Sequence, residues 1–279
     1  MKRQNISVII PLYNKEKFIL KLLSVLNQQL SSYDEVIIID DGSTDNSLSV
    51  VSNFINKESN VNIQLITRAN RGVSRTRNEG ASYAQNEYIL FIDADDYLVP
   101  GAINSFRFLI EQTENNGLIA MSYFEHKDIS TARIIGDDVV RSYIDNEIKI
   151  CVGSVILKRD IFFKYNGFNE QFSHGEDQLL WLTIGYYEGI NYTTKKSLEY
   201  IRDDSNSLTL SRKPINVIGQ VHFAIVRLKN NPFKFLYWKF FKKAFLYNCL
   251  VNINNGHFLM TVKLSLLIIF DLIYSWVRK

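Results

Sequence analysis

The sequence predicts an α/β fold built on a mostly parallel sheet flanked by helices, and three observations carry that expectation. Through the first hundred residues, short β-branched apolar runs are each followed by a polar cluster, and most then by a helical pattern. The runs lack the polar alternation of a half-solvated sheet, as strands covered by helices on both faces require. Each polar cluster after a run lies at that run's carboxyl end. Right-handed strand–helix crossovers then gather the clusters on one sheet edge, where open α/β sheets bind ligands.

Taken in order, Ile6-Ser7-Val8-Ile9-Ile10 reads as the first strand, followed by Pro11-Leu12-Tyr13-Asn14 and a helix with Phe18, Leu22, Val25 and Leu26 inward. Val36-Ile37-Ile38-Ile39 is the second, followed by Asp40-Asp41-Gly42-Ser43-Thr44-Asp45 and a helix bearing Leu48, Val51 and Ile55. Ile63-Gln64-Leu65-Ile66 precedes Arg68 to Gly72 and a third helix, and Tyr88-Ile89-Leu90-Phe91-Ile92 ends in Asp93-Ala94-Asp95-Asp96. From Leu118 to about Arg212 shorter strands and loops surround one amphipathic helix that starts near Glu176, with Leu179, Leu180, Trp181 and Ile184 inward. Beyond Arg212 the chain reads as helical, aromatic and basic. Three units follow: residues 1–117, 118–211 and 212–279.

Charge separates the last unit from the rest. Arg212 to Lys279 holds 11 Lys and Arg and one acid, Asp271, so the net +3 of the chain divides into +10 in the tail and −7 in the body. An acidic body with a basic tail does not suit a nucleic-acid binder; it suits a catalytic domain with a surface-binding appendage. Cys151 and Cys249 are far apart, without metal-ligand or disulfide spacing, and read as reduced core cysteines of a cytoplasmic protein. The short apolar run after Met1-Lys2-Arg3 is too brief for a signal-peptide core.

Asp93-Ala94-Asp95-Asp96 sets three carboxylates in four residues directly after a buried strand. A hard divalent cation relieves their repulsion, and such ions take one or two protein carboxylates plus substrate phosphates. The alternative is a solvated turn capping the helix near Pro100. The Asp-x-Asp-x-Thr phosphatase pattern fails because Tyr97 stands at the Thr position. Asp40-Asp41 suits a nucleobase N–H or ribose hydroxyls, while Gly42 to Asp45 is explained by a turn and a helix cap. Arg71, Arg75 and Arg77 cannot all share one helix face, so at most one or two reach the cleft, where an Arg fork suits a pyrophosphate, and Arg71 and Arg75 read as solvated. Glu176-Asp177 opens a helix, a position acids also favour for dipole reasons alone, and His174 reads as a loop residue.

These residues, in this order, resemble glycosyltransferase family 2, the inverting GT-A-fold enzymes of bacterial surface-polysaccharide synthesis. The carriers are Val8-Ile9-Ile10-Pro11-Leu12-Tyr13-Asn14, Ile39-Asp40-Asp41-Gly42-Ser43-Thr44-Asp45, Asn70-x-Gly72 with Arg77-Asn78, and Asp93-Ala94-Asp95-Asp96. The likeness covers roughly residues 5–210 and departs where Thr76 replaces the common Ala of Ala-Arg-Asn. It implies that Pro11, Tyr13 and Asp41 line a uracil pocket, that Asn70 and Arg77 contact the nucleotide and Asp93 the ribose, and that Asp95 holds Mn²⁺ or Mg²⁺ on the diphosphate. It implies Glu176-Asp177 as the acidic pair whose second member is the catalytic base, and Arg202 and Ser207 as a late pair holding the diphosphate.

The expected activity is transfer of a sugar from a nucleotide-sugar donor, by family likeness a UDP-sugar, to a hydroxyl of a lipid-linked or polysaccharide acceptor. A nucleotidyltransferase would need a Gly-rich, lysine-bearing loop after the first strand, which Pro11-Leu12-Tyr13-Asn14 lacks. A catalytically inactive nucleotide-sugar-binding subunit remains the alternative, with little reason to keep Asp95 and Asp177 together. In the tail, Lys234 to Lys243 interleaves cations with aromatics, and Phe258 to Val277 is as long as a membrane span but interrupted by Lys263 and Asp271. That pattern predicts a segment lying at an anionic membrane surface, on the inner face of the cell membrane, with a homo-oligomer interface as the competing reading.

Overall fold

The structure is a computed structural model that describes residues 4–57, 59–113, 117–172, 174–199, 219–230 and 234–254, with a few positions between 257 and 268. Its first strands are β1 (Ile6–Leu12), β2 (Glu35–Asp40), β3 (Asn62–Thr67) and β4 (Tyr88–Phe91), linked by helices α1 (Ile19–Gln29), α2 (Ser47–Lys57) and α3 (Val73–Tyr83). All four are parallel in the order β3-β2-β1-β4, with Val8 paired to Val36 and Leu90. The crossovers therefore put the ends of these strands on one edge, as the repeated pattern requires.

The second half joins the same sheet. After β5 (Tyr97–Leu98) and α4 (Ala102–Gln112) come β6 (Leu118–Ser122), β7 (Thr131–Ile134), α5 (Asp137–Ile144), β8 (Val155–Lys158), α6 (Arg159–Lys164), α7 (Glu176–Glu188), β9 (Ile190–Lys196) and β10 (Leu198–Glu199). Strand β8 runs antiparallel between β4 and β6 and so welds the two halves into one eight-stranded, mostly parallel mixed sheet. β5 and β10 form a separate antiparallel pair.

Strand residues alternate between two cores. Ile9, Ile37, Ile39 and Phe91 face a layer that includes Ala81 of α3, Phe162 of α6 and Trp181 of α7. Val8, Ile10, Ile38 and Leu90 face Leu22 of α1, Phe54 of α2 and Phe106 of α4. Two buried faces explain the runs without polar alternation; β3, at the sheet edge, exposes Asn62, Gln64 and Thr67. On α2 the inward face is Ser47, Val51 and Phe54, and of the apolar residues Leu48, Val51 and Ile55 the first is exposed. Leu48 sits one residue, about 100° of rotation, past the buried Ser47, and Phe54 fills the inner position instead.

Two helices follow, α8 (Gly219–Asn230) and α9 (Phe235–Asn254). They pack on α7 and α5 through Val221, Phe223, Tyr237 and Phe240. The tail's cations meet the body's acids and carbonyls: Lys234 pairs with Asp137, Lys239 lies 3.6 Å from Asp145, and Lys243 donates to the Ile144 carbonyl at 2.6 Å. No helix among the described residues is long and apolar enough to cross a membrane. The helix expected over Phe258 to Val277 falls almost wholly outside the described residues.

Candidate active site

The strand-end loops are laced together before any ligand is considered. Asn14, in the left-handed region at φ 52°, accepts from the Thr44 backbone N–H at 2.7 Å, and its own N–H donates to Ser43 Oγ at 3.0 Å. Pro11 and the 47 %-exposed Tyr13 border this junction of the β1 and β2 loops. The Asp41 carboxylate is buried and receives the Arg71 and Gly72 backbone N–H groups at 2.7 and 3.0 Å, besides the Arg68 guanidinium. Asn70 stays exposed in the same loop, as does Arg71; Arg75 reaches Glu170 at 3.3 Å on the surface.

Arg77 is the hub. Helix α3 comes close to the sheet because Gly80 has no side chain: a Cβ there would lie 2.5 Å from Ile9 Cγ2. One turn earlier, the Arg77 guanidinium is 3 % exposed and donates to Asp93 Oδ1 at 2.6 Å and Glu176 Oε1 at 2.7 Å. Those two charges hold its pKa above the ordinary arginine value despite burial. The pair of bonds couples the end of β4 to the start of α7. Below it lies an aromatic floor, with Phe168 5.3 Å from the guanidinium carbon and packed edge-on against Phe91 and Trp181.

Glu176 is thus more than a dipole-favoured acid at a helix start: it is buried and ion-paired. Its neighbour Asp177 is half-buried, capped by the Gln178 N–H at 2.7 Å, and pushed up to about 7 by burial and by the charge of Glu176, with Arg77 opposing. A carboxylate tuned there can hold or release a proton near neutrality. Asn78 fixes the loop before α7, exchanging two hydrogen bonds with the Phe168 backbone at 2.8 and 2.9 Å. A cavity of about 430 Å³ opens beside Glu176, between that loop and α7, lined in part by Asn78, Tyr165, Phe168 and Thr183.

Asp95 faces Lys15, whose ammonium lies 2.6 Å from Oδ2, with both side chains largely buried. Burial and the charge of Asp93 raise its pKa, and the Lys15 hydrogen bond works against them. Among the described residues no group of three His, Cys, Asp or Glu side chains forms a self-sufficient metal centre. A Mg²⁺-like ion needs only one or two protein oxygens, so Asp95 could supply one in exchange for its Lys15 ion pair, with the rest from phosphates and water. Arg202 and Ser207 lie outside the described residues. Three participants escaped sequence reasoning as partners, Lys15, Arg68 and Asn78; the available signal was a charged or amide residue inside or beside each strand-end cluster.

The family described as Glycosyl transferase family 2 matches residues 7–135. The poly(ribitol-phosphate) beta-N-acetylglucosaminyltransferase TarP of Staphylococcus aureus is 31% identical over 258 residues, 84% of this chain and 72% of TarP. EpsJ of Bacillus subtilis, an uncharacterized glycosyltransferase, is 27% identical over 215 residues, 75% of this chain and 56% of EpsJ. An uncharacterized glycosyltransferase of Haemophilus influenzae is 43% identical over 94 residues, 33% of this chain and 37% of that protein. The chain thus spans from about a third to just over half of the length of these last two. Among solved structures, Staphylococcus aureus TarS 1–349 in complex with UDP-GlcNAc superposes with TM-score 0.66 at 20% identity, over 80% of this chain and 66% of that one. The mannosyltransferase PcManGT of Pyrobaculum calidifontis, with GDP-Man and Mn²⁺, gives 0.61 at 16%, over 97% and 80%. The sheet and its flanking helices are therefore a GT-A fold. With the strand-end motifs inside the matched segment and TarP aligned over most of both lengths, the chain belongs to glycosyltransferase family 2.

Proposed function

We propose that this chain is an inverting transferase that moves a sugar, a hexose or N-acetylhexosamine, from a UDP-sugar to a hydroxyl of a lipid-linked or polysaccharide acceptor in cell-surface glycan synthesis. The observation that carries the proposal is the Arg77 bridge from Asp93 to Glu176, which joins the strand-end acids to the start of the helix bearing Asp177, a carboxyl that burial and the Glu176 charge push up to about 7. The donor class is supported by TarS and TarP, the first bound to UDP-GlcNAc and the second named for N-acetylglucosaminyl transfer.

In this reading Pro11, Tyr13 and Asp41 border the base, Asn70 lies beside them, and Asp93, steadied by Arg77, meets the ribose. Asp177 removes the proton from the acceptor hydroxyl, whose oxygen attacks the anomeric carbon as the bond to the diphosphate breaks. Attack opposite the leaving group, with no side-chain nucleophile intervening, inverts the configuration. General-base help of this kind is worth about 10²–10⁴-fold. Asp95, together with donor phosphate oxygens, would hold Mn²⁺ or Mg²⁺, which when bound neutralises charge on the departing diphosphate. Peripheral attachment to an anionic membrane surface would bring the cleft to a lipid-linked acceptor.

Purified protein screened against a panel of nucleotide sugars, with nucleotide release as readout, should turn over a UDP-sugar in the presence of Mn²⁺. Calorimetry should show Asp95→Ala binding UDP with Mn²⁺ at least about tenfold more weakly, the loss of one charged ligand. Equal binding by parent and variant removes Asp95 from the donor site. Release of no nucleotide from any donor, with or without acceptor, removes the transferase reading.

A further inference from the structure

Arg68 lies directly after β3 and belongs to none of the sequence motifs, yet most of its guanidinium donors are engaged. Nη1 binds the Asp41 carboxylate and the Ala69 carbonyl, the latter at 2.9 Å. Nη2 donates to Thr76 Oγ1 at 2.9 Å and Nε to Glu79 Oε2 at 2.6 Å. The side chain is only 10 % exposed. The Thr76 hydroxyl also donates to the Gly72 carbonyl at 2.8 Å, so it ties the loop that covers Asp41 to α3. Thr76, the one departure from the family pattern, is thus half of a device whose other half is Arg68.

The consequence falls on Asp41. Its Oδ1 receives Arg68 and the Arg71 N–H, and its Oδ2 receives the Gly72 N–H. A carboxylate has about four acceptor directions and the described residues fill three of them, so about one remains, on Oδ2, with the group held against rotation by those donors. We propose that Arg68 is a positioning residue for nucleobase recognition: anchored by Thr76 and Glu79, it fixes Asp41 as a single acceptor that selects a base presenting a ring N–H. Uracil offers that N–H; cytosine presents a lone pair at the same ring position and is rejected by acceptor–acceptor repulsion and an unpaired polar edge. This rests on the proposed role of Asp41 at the base, which needs its own control.

Calorimetry on the full chain with Mn²⁺, comparing UDP with CDP, separates the two ideas. Asp41→Asn tests the base reading: UDP affinity should fall about tenfold, one charged hydrogen bond's worth. If it does not change, Asp41 is not at the base and the proposal falls with it. If it falls, Arg68→Met decides. The expected result is about a tenfold loss for UDP with CDP nearly unchanged, so that discrimination narrows, and no rescue by Arg68→Lys, whose single ammonium cannot span Asp41, Thr76 and Glu79. Equal losses for UDP and CDP would make Arg68 a loop staple and overturn the proposal. Should Arg68→Met fail to fold, Thr76→Ala serves: it should narrow the UDP-to-CDP ratio about two- to threefold, a fraction of one hydrogen bond, and an unchanged ratio overturns the proposal equally.

Discussion

Glu176 and Asp177 are adjacent acids with opposite fates, and the difference is one arginine. Glu176 is ion-paired with Arg77 and buried; Asp177, with no ion pair among the described residues, carries the cost of burial beside the Glu176 charge. Asp177→Asn should lower turnover by about 10²-fold or more with donor affinity preserved, because only proton removal is lost. Turnover by the parent should rise with pH through about 7, as Asp177 becomes the free base, and that limb should vanish in the variant. The stability effect has the opposite sign. A carboxyl raised from 3.8 to about 7 binds its proton more tightly folded than unfolded, so its contribution is full below 3.8 and is lost as pH rises toward 7. Asp177→Asn should therefore melt at a higher temperature than the parent at pH 8, with the gap closing by pH 4. A variant that is equally active, or no more stable at pH 8, would remove Asp177 as the base. Asp177 and Asp95 were legible as candidates because acids cluster where a strand ends or a helix begins. Their tuning was not, since Arg77 meets Glu176 from 99 residues away and no local pattern records that.

The four amino-terminal strands were legible because a strand buried on both faces must be apolar at every position. The place of β8 was not: nothing local in Val155–Lys158 says that it runs antiparallel between β4 and β6. The loop from Gly167 to Glu170 shows how the elements then hold the site. Gly167 adopts φ +62°, and a Cβ there would meet Asn78 Oδ1 at 2.7 Å and the Phe162 ring at 2.9 Å. Gly167→Ala should cost about 1–3 kcal/mol, from the left-handed backbone and the clash together. It should also loosen the Asn78–Phe168 bonds that position the approach to α7. Urea denaturation should show an earlier midpoint with little change in slope, and an unchanged midpoint would mean that this turn is not under the constraint described. Leu48 teaches the same lesson in reverse, since apolar character alone did not tell which of two neighbouring helix positions faces inward.

At the scale of the molecule, the acidic body and basic tail partly satisfy each other. Lys234, Lys239 and Lys243 are turned to Asp137, Asp145 and the end of α5, so those three cations serve the packing of α9 before any membrane is met. What α9 leaves outward includes a stripe at helical spacing: Phe235, Trp238, Lys242, Leu246, Leu250 and Ile253, with Phe235 80 % exposed. On a helix of 20 residues, about 30 Å long, such a stripe suits an interfacial helix lying in the headgroup region, aromatics inward and lysine toward phosphate. Each cation close to an anionic surface adds only about 1 kcal/mol, so insertion of the aromatics should dominate and salt should weaken binding only partly. The full chain should sediment with vesicles containing anionic lipid at low salt and lose part of that binding at high salt. The double variant Phe235→Ser, Trp238→Ser should lose most of it while remaining folded by circular dichroism, because the two side chains are 80 % and 42 % exposed. If the parent ignores anionic vesicles but its mass rises with concentration and the double variant stays monomeric, the stripe is a contact between copies of this chain and the membrane reading is wrong.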